Sequence, residues 1–313
     1  MLRGTWTRLC SSRVPLRRSR GFHASPAVAR NRLLLETAEL QDDGEELSAL
    51  LQPGDPRSAH LGEVLQLTAG STLRVGVVNG ARAEAKVTGS AAAGWKLSWR
   101  KDESSLPLPL PSVDVLLALP RPKVMKRLWS PLATMGVGAI YVTNAARVER
   151  FYFDSDVSDA SLARAQLLRG LEMAGDTRLP PVLLSRRLPP VADFARGLRT
   201  LEEARLSPTP DWAQWLVEGE LPPRPTVTLV AHPGAGQPGV GPALRAAGVD
   251  VLDGTRVLLA IGPEGGWTEH ELALLMSGSG KVAMVGLGSR ILDTTTATVA
   301  LLASLREVKG WRT

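Results

Sequence analysis

"IGPEGGWTEHEL", residues 261–272, decides how this chain is read. The apolar run "RVLLAIG" (256–262) predicts a buried strand. It stops in Gly262, Pro263, Glu264, Gly265 and Gly266. Thr268 and Glu271 then form a T-x-x-E capping box, which starts a helix and leaves Glu269 and His270 as first-turn surface residues. A strand that passes to a helix through a loop almost without side chains exposes its main chain to a ligand. Two other strand ends have the same character, "LVAHPGAGQPG" (229–239) and "VGLGSRILDTTT" (285–296). In open α/β sheets ligands bind beyond the carboxyl ends of strands, so three such loops are a candidate site for a flat, polar cofactor.

A phosphate cradle fits poorly. No loop ends in the Gly-Lys-Ser/Thr of a P-loop, and neither "GPEGGW" nor "GLGSRI" has Gly-x-Gly-x-x-Gly spacing. Glu264 would repel phosphate; an acid among backbone donors suits a ligand with cationic character or an N–H.

Outward from these loops, strands alternate with helices from residue 113 onward. "VDVLLALP", "AIYVTN", "TVTLVAH" and "VAMVGLG" read as strands. "KVMKRLWSPLATMG" reads as a helix with a bend at Pro131, and "SDASLARAQLLRGLEMAG" as one capped by Ser158 and stopped at Gly175. Further helices are predicted near 191–205, 241–247, 269–277 and 294–308. The alternation predicts an α/β domain with a mostly parallel sheet. Pro107, Pro109 and Pro111 make an extended connector before it. Ahead of the connector, "EVLQL", "STLRVGVVNG", "ARAEAKVTG" and "GWKLSWR" read as short strands of a small β-barrel.

The 313 residues carry a net charge of +6, but the excess is localised. Residues 1–35 hold eight arginines and no acid, and beyond them 29 basic side chains face 31 acidic ones. An Arg- and Ser-rich, acid-free amino terminus has the composition of a mitochondrial transit peptide. This predicts residues 1–29 as the leader, a mature start between Phe22 and Asn31, and a location in the mitochondrial matrix; a basic RNA-binding arm is the alternative. The one cysteine, Cys10, lies in that segment. The mature chain is thus expected to have no disulfide, no Cys-ligated metal and no thiol nucleophile. No apolar run reaches the length of a membrane span.

"IGPEGGW" followed by "LGSRILDTTTA" resembles the RsmE family, small-subunit rRNA uridine-N3 methyltransferases of the SPOUT class. "LEMAGDTRLPPV" (171–182), "LVAHPGA" and "HLGEVLQLTAGSTLRVGVVNG" (60–80) extend the resemblance over nearly everything past residue 30. It implies a PUA-like RNA-binding barrel at 30–105, a trefoil-knotted SPOUT methyltransferase domain at 106–313, S-adenosylmethionine as cofactor, a homodimer, and rRNA of the mitochondrial small subunit as partner. The cofactor shell carried over is His232, Pro233 and Gly234; Ile261, Gly262, Pro263, Glu264, Gly265 and Gly266; and Leu287, Gly288, Ile291 and Leu292, with Thr294 and Thr296 at its edge. For each glycine the alternative is a turn without a ligand, and at Gly286 the two readings balance. Arg290 is the candidate to orient the base or a phosphate, and Arg178 to bind RNA. Glu264 is either the base or a pin for a loop N–H, with the second favoured. Arg147 and Arg150 read as a solvated face.

Methylation at uracil carbon 5 usually begins with an attacking cysteine, which the mature chain lacks; methylation at N3 needs only removal of a weakly acidic proton and alignment. Several positions depart from the family pattern. Asp293 and Asp176 stand for arginines, Thr295 and Thr134 for glutamates, Pro131 for a lysine and Gln66 for an arginine. Losing those cations weakens phosphate contacts. The alternatives are therefore a knotted RNA- or ribosome-binding scaffold without activity, or a methyltransferase for a ribose 2′-hydroxyl.

Overall fold

The computed structural model describes residues 31–90, 92–186, 213–219, 222–223, 225–234, 236–249, 255–277 and 281–309. The predicted leader and the helix expected near 191–205 lie outside them.

Period-two alternation builds the amino-terminal sheet. Its strands are β1 (Leu33–Leu35), β2 (Leu40–Asp42), β3 (Glu46–Leu51), β4 (Thr72–Val77), β5 (Arg82–Ser90) and β6 (Gly94–Arg100), in the order β1-β4-β5-β6-β3-β2. All pairs are antiparallel except β1 with β4. Ala83, Ala85 and Val87 of β5 and Trp95, Leu97 and Trp99 of β6 face one core with Leu33, Leu35, Leu51, Leu73 and Val75. The end strands β1 and β2 do not pair, so the sheet wraps its core but stays open where the sequence suggested a barrel.

"EVLQL" is not a strand. Helix α1 (Pro56–Ala59), capped by Asp55, runs into a π turn at His60–Val64 that buries Leu61 completely. The Trp95 indole donates to the Ser58 carbonyl at 3.1 Å and anchors that turn over the core. Burial of Leu61 and the anchored turn overrode the local alternation.

Strand β1 belongs to both halves of the molecule. Leu33 and Leu35 face the amino-terminal core, while Leu34 points into the larger one. Its neighbour Arg32 donates to the carbonyls of Gly175 at 3.0 Å and Val75 at 2.6 Å, joining the two. The β4–β5 turn docks at the same seam: Asn79 N–H donates to the Thr177 carbonyl, and Leu179 N–H to the Asn79 side chain.

The second sheet has seven strands, β7 (Val113–Ala118), β8 (Ile140–Thr143), β9 (Val182–Ser185), β10 (Ala213–Val217), β11 (Val227–Ala231), β12 (Val257–Ile261) and β13 (Lys281–Val285). Their order is β10-β9-β8-β7-β12-β11-β13, parallel throughout except for the edge strand β10. This is the α/β architecture the alternation implied. Helices α2 (Pro122–Thr134), α3 (Ala160–Ala174), α4 (Val240–Ala246), α5 (Glu269–Met276) and α6 (Thr294–Lys309) follow β7, β8, β11, β12 and β13 in turn. None of the described helices is long and apolar enough to cross a membrane.

The cap of α3 is Asp159, which accepts from Ser161 and Leu162 N–H. Ser158, the expected cap, instead donates its hydroxyl to the Phe153 carbonyl at 2.7 Å. Gly175 ends the helix at φ +72°, as its position implied. Helices α2 and α3 touch through Gly170, where an added Cβ would sit 2.3 Å from the Ser130 carbonyl oxygen. Thr134 donates to both the Ser130 and Gly170 carbonyls, at 2.9 and 3.1 Å.

At the foot of the sheet Asp114, fully buried, pairs with Arg256. Arg256 Nε donates to Oδ2 at 2.6 Å and Nη2 to Oδ1 at 2.5 Å, and Nη1 donates to the Pro111 carbonyl at 2.9 Å. Burial pushes the Asp114 carboxyl up to about 6 against the pull of the guanidinium, which leaves it ionised at neutral pH. Gly138 leaves the room the guanidinium needs, since a Cβ there would lie 2.0 Å from Nη2. Removing one partner strands a buried charge. Asp114→Asn is expected to destabilise the protein by about 3–5 kcal/mol at pH 7, read from urea midpoints.

Candidate functional site

Strands β11, β12 and β13 lie side by side in parallel register, with Val230 opposite Ala260 and Ala231 opposite Val285. Their carboxyl ends therefore finish at one level. The loops that follow, beginning at His232, Gly262 and Gly286, close around a cavity of 290 Å3. That is near the small end of ligand pockets, roughly 300–1,000 Å3. A larger groove of 680 Å3 lies at the seam between the sheets, lined by Glu36, Asn79 and Arg164 among others, but no glycine loop reaches it.

The smaller cavity gathers most of the residues expected from sequence. His232, Pro233, Ile261, Gly262, Pro263, Glu264, Gly265, Gly266, Leu287, Gly288, Arg290, Ile291, Leu292 and Thr294 all line it. Three expected residues do not. Gly234 is exposed just outside. Thr296 is turned to Asp293, donating its N–H to Oδ1 at 3.0 Å and its hydroxyl to Oδ2 at 2.7 Å. These bonds hold the Asp293 carboxyl below the usual range and cap the start of α6. Arg178 is half-buried at the seam, where Nε donates to the Leu108 carbonyl of the connector.

The glycines have separate reasons. A Cβ on Gly262 would stand 3.1 Å from the Trp267 indole nitrogen, so this glycine admits the ring. Gly266 and Gly288 have φ of +73° and +92°, where side chains are strained. Gly286, left open from sequence, is where two loops cross: its N–H donates to the Pro238 carbonyl at 2.9 Å, and a Cβ would lie 2.6 Å from that of Gln237.

Glu264 accepts from the Arg121 backbone N–H at 3.0 Å. Arg121 is the residue at which α2 begins, so the carboxylate pins that helix to the glycine loop. Glu271 does more than the capping box required. Its Oε2 accepts from the Thr268 N–H and hydroxyl, and its Oε1 accepts from Ala146 N–H at 2.6 Å, tying the loop after β8 to the start of α5. In that loop the Arg147 guanidinium donates to the Gly265 carbonyl, with its methylenes packed on Gly265. Sequence gave no signal for this contact, because Arg147 and Gly265 are far apart in the chain and either side chain class is common in loops.

Trp267 and Gly286, together with Ala231, Val285, Ala297 and Leu301, line the cavity without having been assigned to it. Two buried polar atoms there have no hydrogen-bond partner among the described residues, His232 Nδ1 and Trp267 Nε1. An unpaired buried donor costs about 1–3 kcal/mol, so such atoms mark places where a ligand can complete the bonding.

Residues 107–306 match the family model described as an RNA methyltransferase domain. The ribosomal RNA small subunit methyltransferase E of Treponema pallidum is 29% identical over 271 residues, 84% of this chain and 88% of that protein. Among solved structures, ribosomal RNA small subunit methyltransferase E from Neisseria gonorrhoeae, bound to S-adenosyl methionine, is similar at a TM-score of 0.58 and 16% identity, over 89% of this chain and 97% of its own. The Legionella pneumophila protein Lpg2936, in complex with SAM, is similar at 0.57 and 17%, over 88% and 97%. At those identities the structures establish a shared fold.

The crossing at Gly286 sets a test of the loop packing. Gly286→Ala is expected to cost about 1–3 kcal/mol in urea denaturation, because the new methyl group meets a Cβ and not a flexible side-chain end.

Proposed function

The chain belongs to the RNA methyltransferase domain family, and from that premise we propose that it methylates rRNA with S-adenosylmethionine as donor, at N3 of a uridine in the mitochondrial small subunit. The observation that carries the reading is the convergence of three glycine loops on one cavity whose two buried polar atoms lack partners. A polar ligand seated there satisfies His232 Nδ1 and Trp267 Nε1, and the small residues at 262, 265, 266, 286 and 288 leave its backbone contacts open. S-adenosylmethionine supplies an electrophilic methyl group when bound.

This chain's residues then have distinct tasks. Main-chain groups of the three loops hold the donor. Arg290, exposed at the cavity wall, orients the acceptor base and favours the anion left when the N3 proton departs. Glu264 accepts from Arg121 N–H through Oε1 and acts as a pin, and water at the mouth takes the proton. The PUA-like role of the amino-terminal sheet, the trefoil knot, the homodimer and the matrix location belong to the same proposal. The crossing of the 286 and 237 segments supports the knot, and the 88% exposure of Ile291 beside the mouth supports a second copy covering it.

The inactive-scaffold alternative drew on substituted charges. Asp293 caps α6, Asp176 accepts from Thr177 and Arg178 N–H, and Thr134 joins α2 to α3. Each has a local structural use, so these changes do not argue for lost activity.

Three measurements follow from this reading. Calorimetry with S-adenosylmethionine should give one site per chain; no binding at millimolar cofactor refutes it. Trp267→Phe should weaken that binding about 3- to 10-fold, the worth of one neutral hydrogen bond, beyond any loss of stability from the smaller ring, which melting of the unliganded protein reads separately. Cells lacking the protein should lose 3-methyluridine from mitochondrial small-subunit rRNA, by nucleoside mass spectrometry, and Arg290→Ala should fail to restore it. An unchanged 3-methyluridine level removes the proposed acceptor.

A further inference from the structure

Arg147 reads from sequence as part of a solvated face, and Arg290 as the residue that orients the base or a phosphate. The placement of Arg147 says otherwise. Arg147 lies along Gly265, and its guanidinium reaches the Gly265 carbonyl. Arg121 is fixed to the same loop through its own N–H and Glu264, and it is exposed. Arg290 lines the wall formed by the third loop. None of the three has an ion-pair partner among the described residues. Among the described residues one acidic side chain lines the cavity, Glu264; its Oε1 accepts from Arg121 N–H, and the three guanidinium groups outnumber its single charge. Four residues beyond Arg147, Phe151 is 64% exposed, its ring held edge-on against Tyr152 at 4.9 Å. A large aromatic ring left in water four residues along the chain from Arg147 has, with the three cations, the composition of a single-strand binding surface, where phosphates meet charge and bases stack.

We propose that Arg121, Arg147 and Arg290 form a cationic rim that takes the phosphates of an unpaired RNA segment, with the Phe151 ring as a stacking platform for a base next to the one entering the cavity. This rests on the reading of the cavity given above and names the substrate's form: a splayed single strand and not a duplex. Because Arg147 also carries the Gly265 loop, phosphate capture and the shape of the donor site are mechanically joined at that side chain.

The test uses the full chain, saturating S-adenosylmethionine and a fluorescein-labelled, unstructured 15-nucleotide RNA, followed by anisotropy from 50 to 300 mM KCl. Each of Arg121→Gln, Arg147→Gln and Arg290→Gln should lower the slope of log affinity against log salt by about 0.7, the contribution of one phosphate on a single strand. Arg147→Lys should retain the slope. Phe151→Ala should weaken binding about tenfold with the slope unchanged. Glutamine variants that keep both their melting temperature and the wild-type slope overturn the rim, as does equal competition by a duplex of the same length, or no binding of the RNA by the wild type. Calorimetry on the wild type with S-adenosylmethionine alone separates the two ideas: donor binding without a rim effect removes only this inference, and absence of donor binding removes the cavity reading.

Discussion

The pairing of Asp114 with Arg256 sets the frame on which everything else hangs. The two residues sit at the starts of the central strands β7 and β12, Asp114 wholly and Arg256 almost wholly buried, and are held by two charge-assisted bonds. A buried ion pair contributes little net stability, but it tolerates no slip. With β12 fixed against β7, parallel pairing carries the register to β11 and then to β13. The ends of those three strands are level as a result, and level ends are what allow loops from distant parts of the sequence to meet. The glycines make a cavity possible; the alignment underneath makes it a single cavity.

Much of this was legible in the residues. Long β-branched and leucine runs, each closed by glycine and proline, identify parallel strands with loops at one end, and the loops gave the site directly because their chemistry is that of the main chain. What sequence missed shares a different physics. The π turn at His60–Val64 follows from how Leu61 fills a core, which local alternation cannot report. Arg178 sits in a segment that resembles a functional motif, yet its guanidinium is committed to the connector. Arg147 and Trp267 matter through contacts that no spacing encodes: one lies over a glycine 118 positions away, the other fits against the missing side chain of Gly262.

The departures from the family pattern are also easier to understand in space than in a string. Asp293 replaces a cation but gains the role of opening α6, and a carboxylate at a helix start is favoured by the helix dipole. Asp176 closes a tight turn beneath the docked β4–β5 hairpin.

Strand β1 has one more implication. Three consecutive leucines serve two interiors, Leu34 in one and its neighbours in the other, while Arg32 and Glu172 bond across the join. Neither half can unfold without pulling apolar surface out of its companion, so melting should be one cooperative event. A fragment cut at the proline connector would carry an empty slot where Leu34 belongs, and the boundary visible in the sequence is for that reason a poor place to divide the molecule.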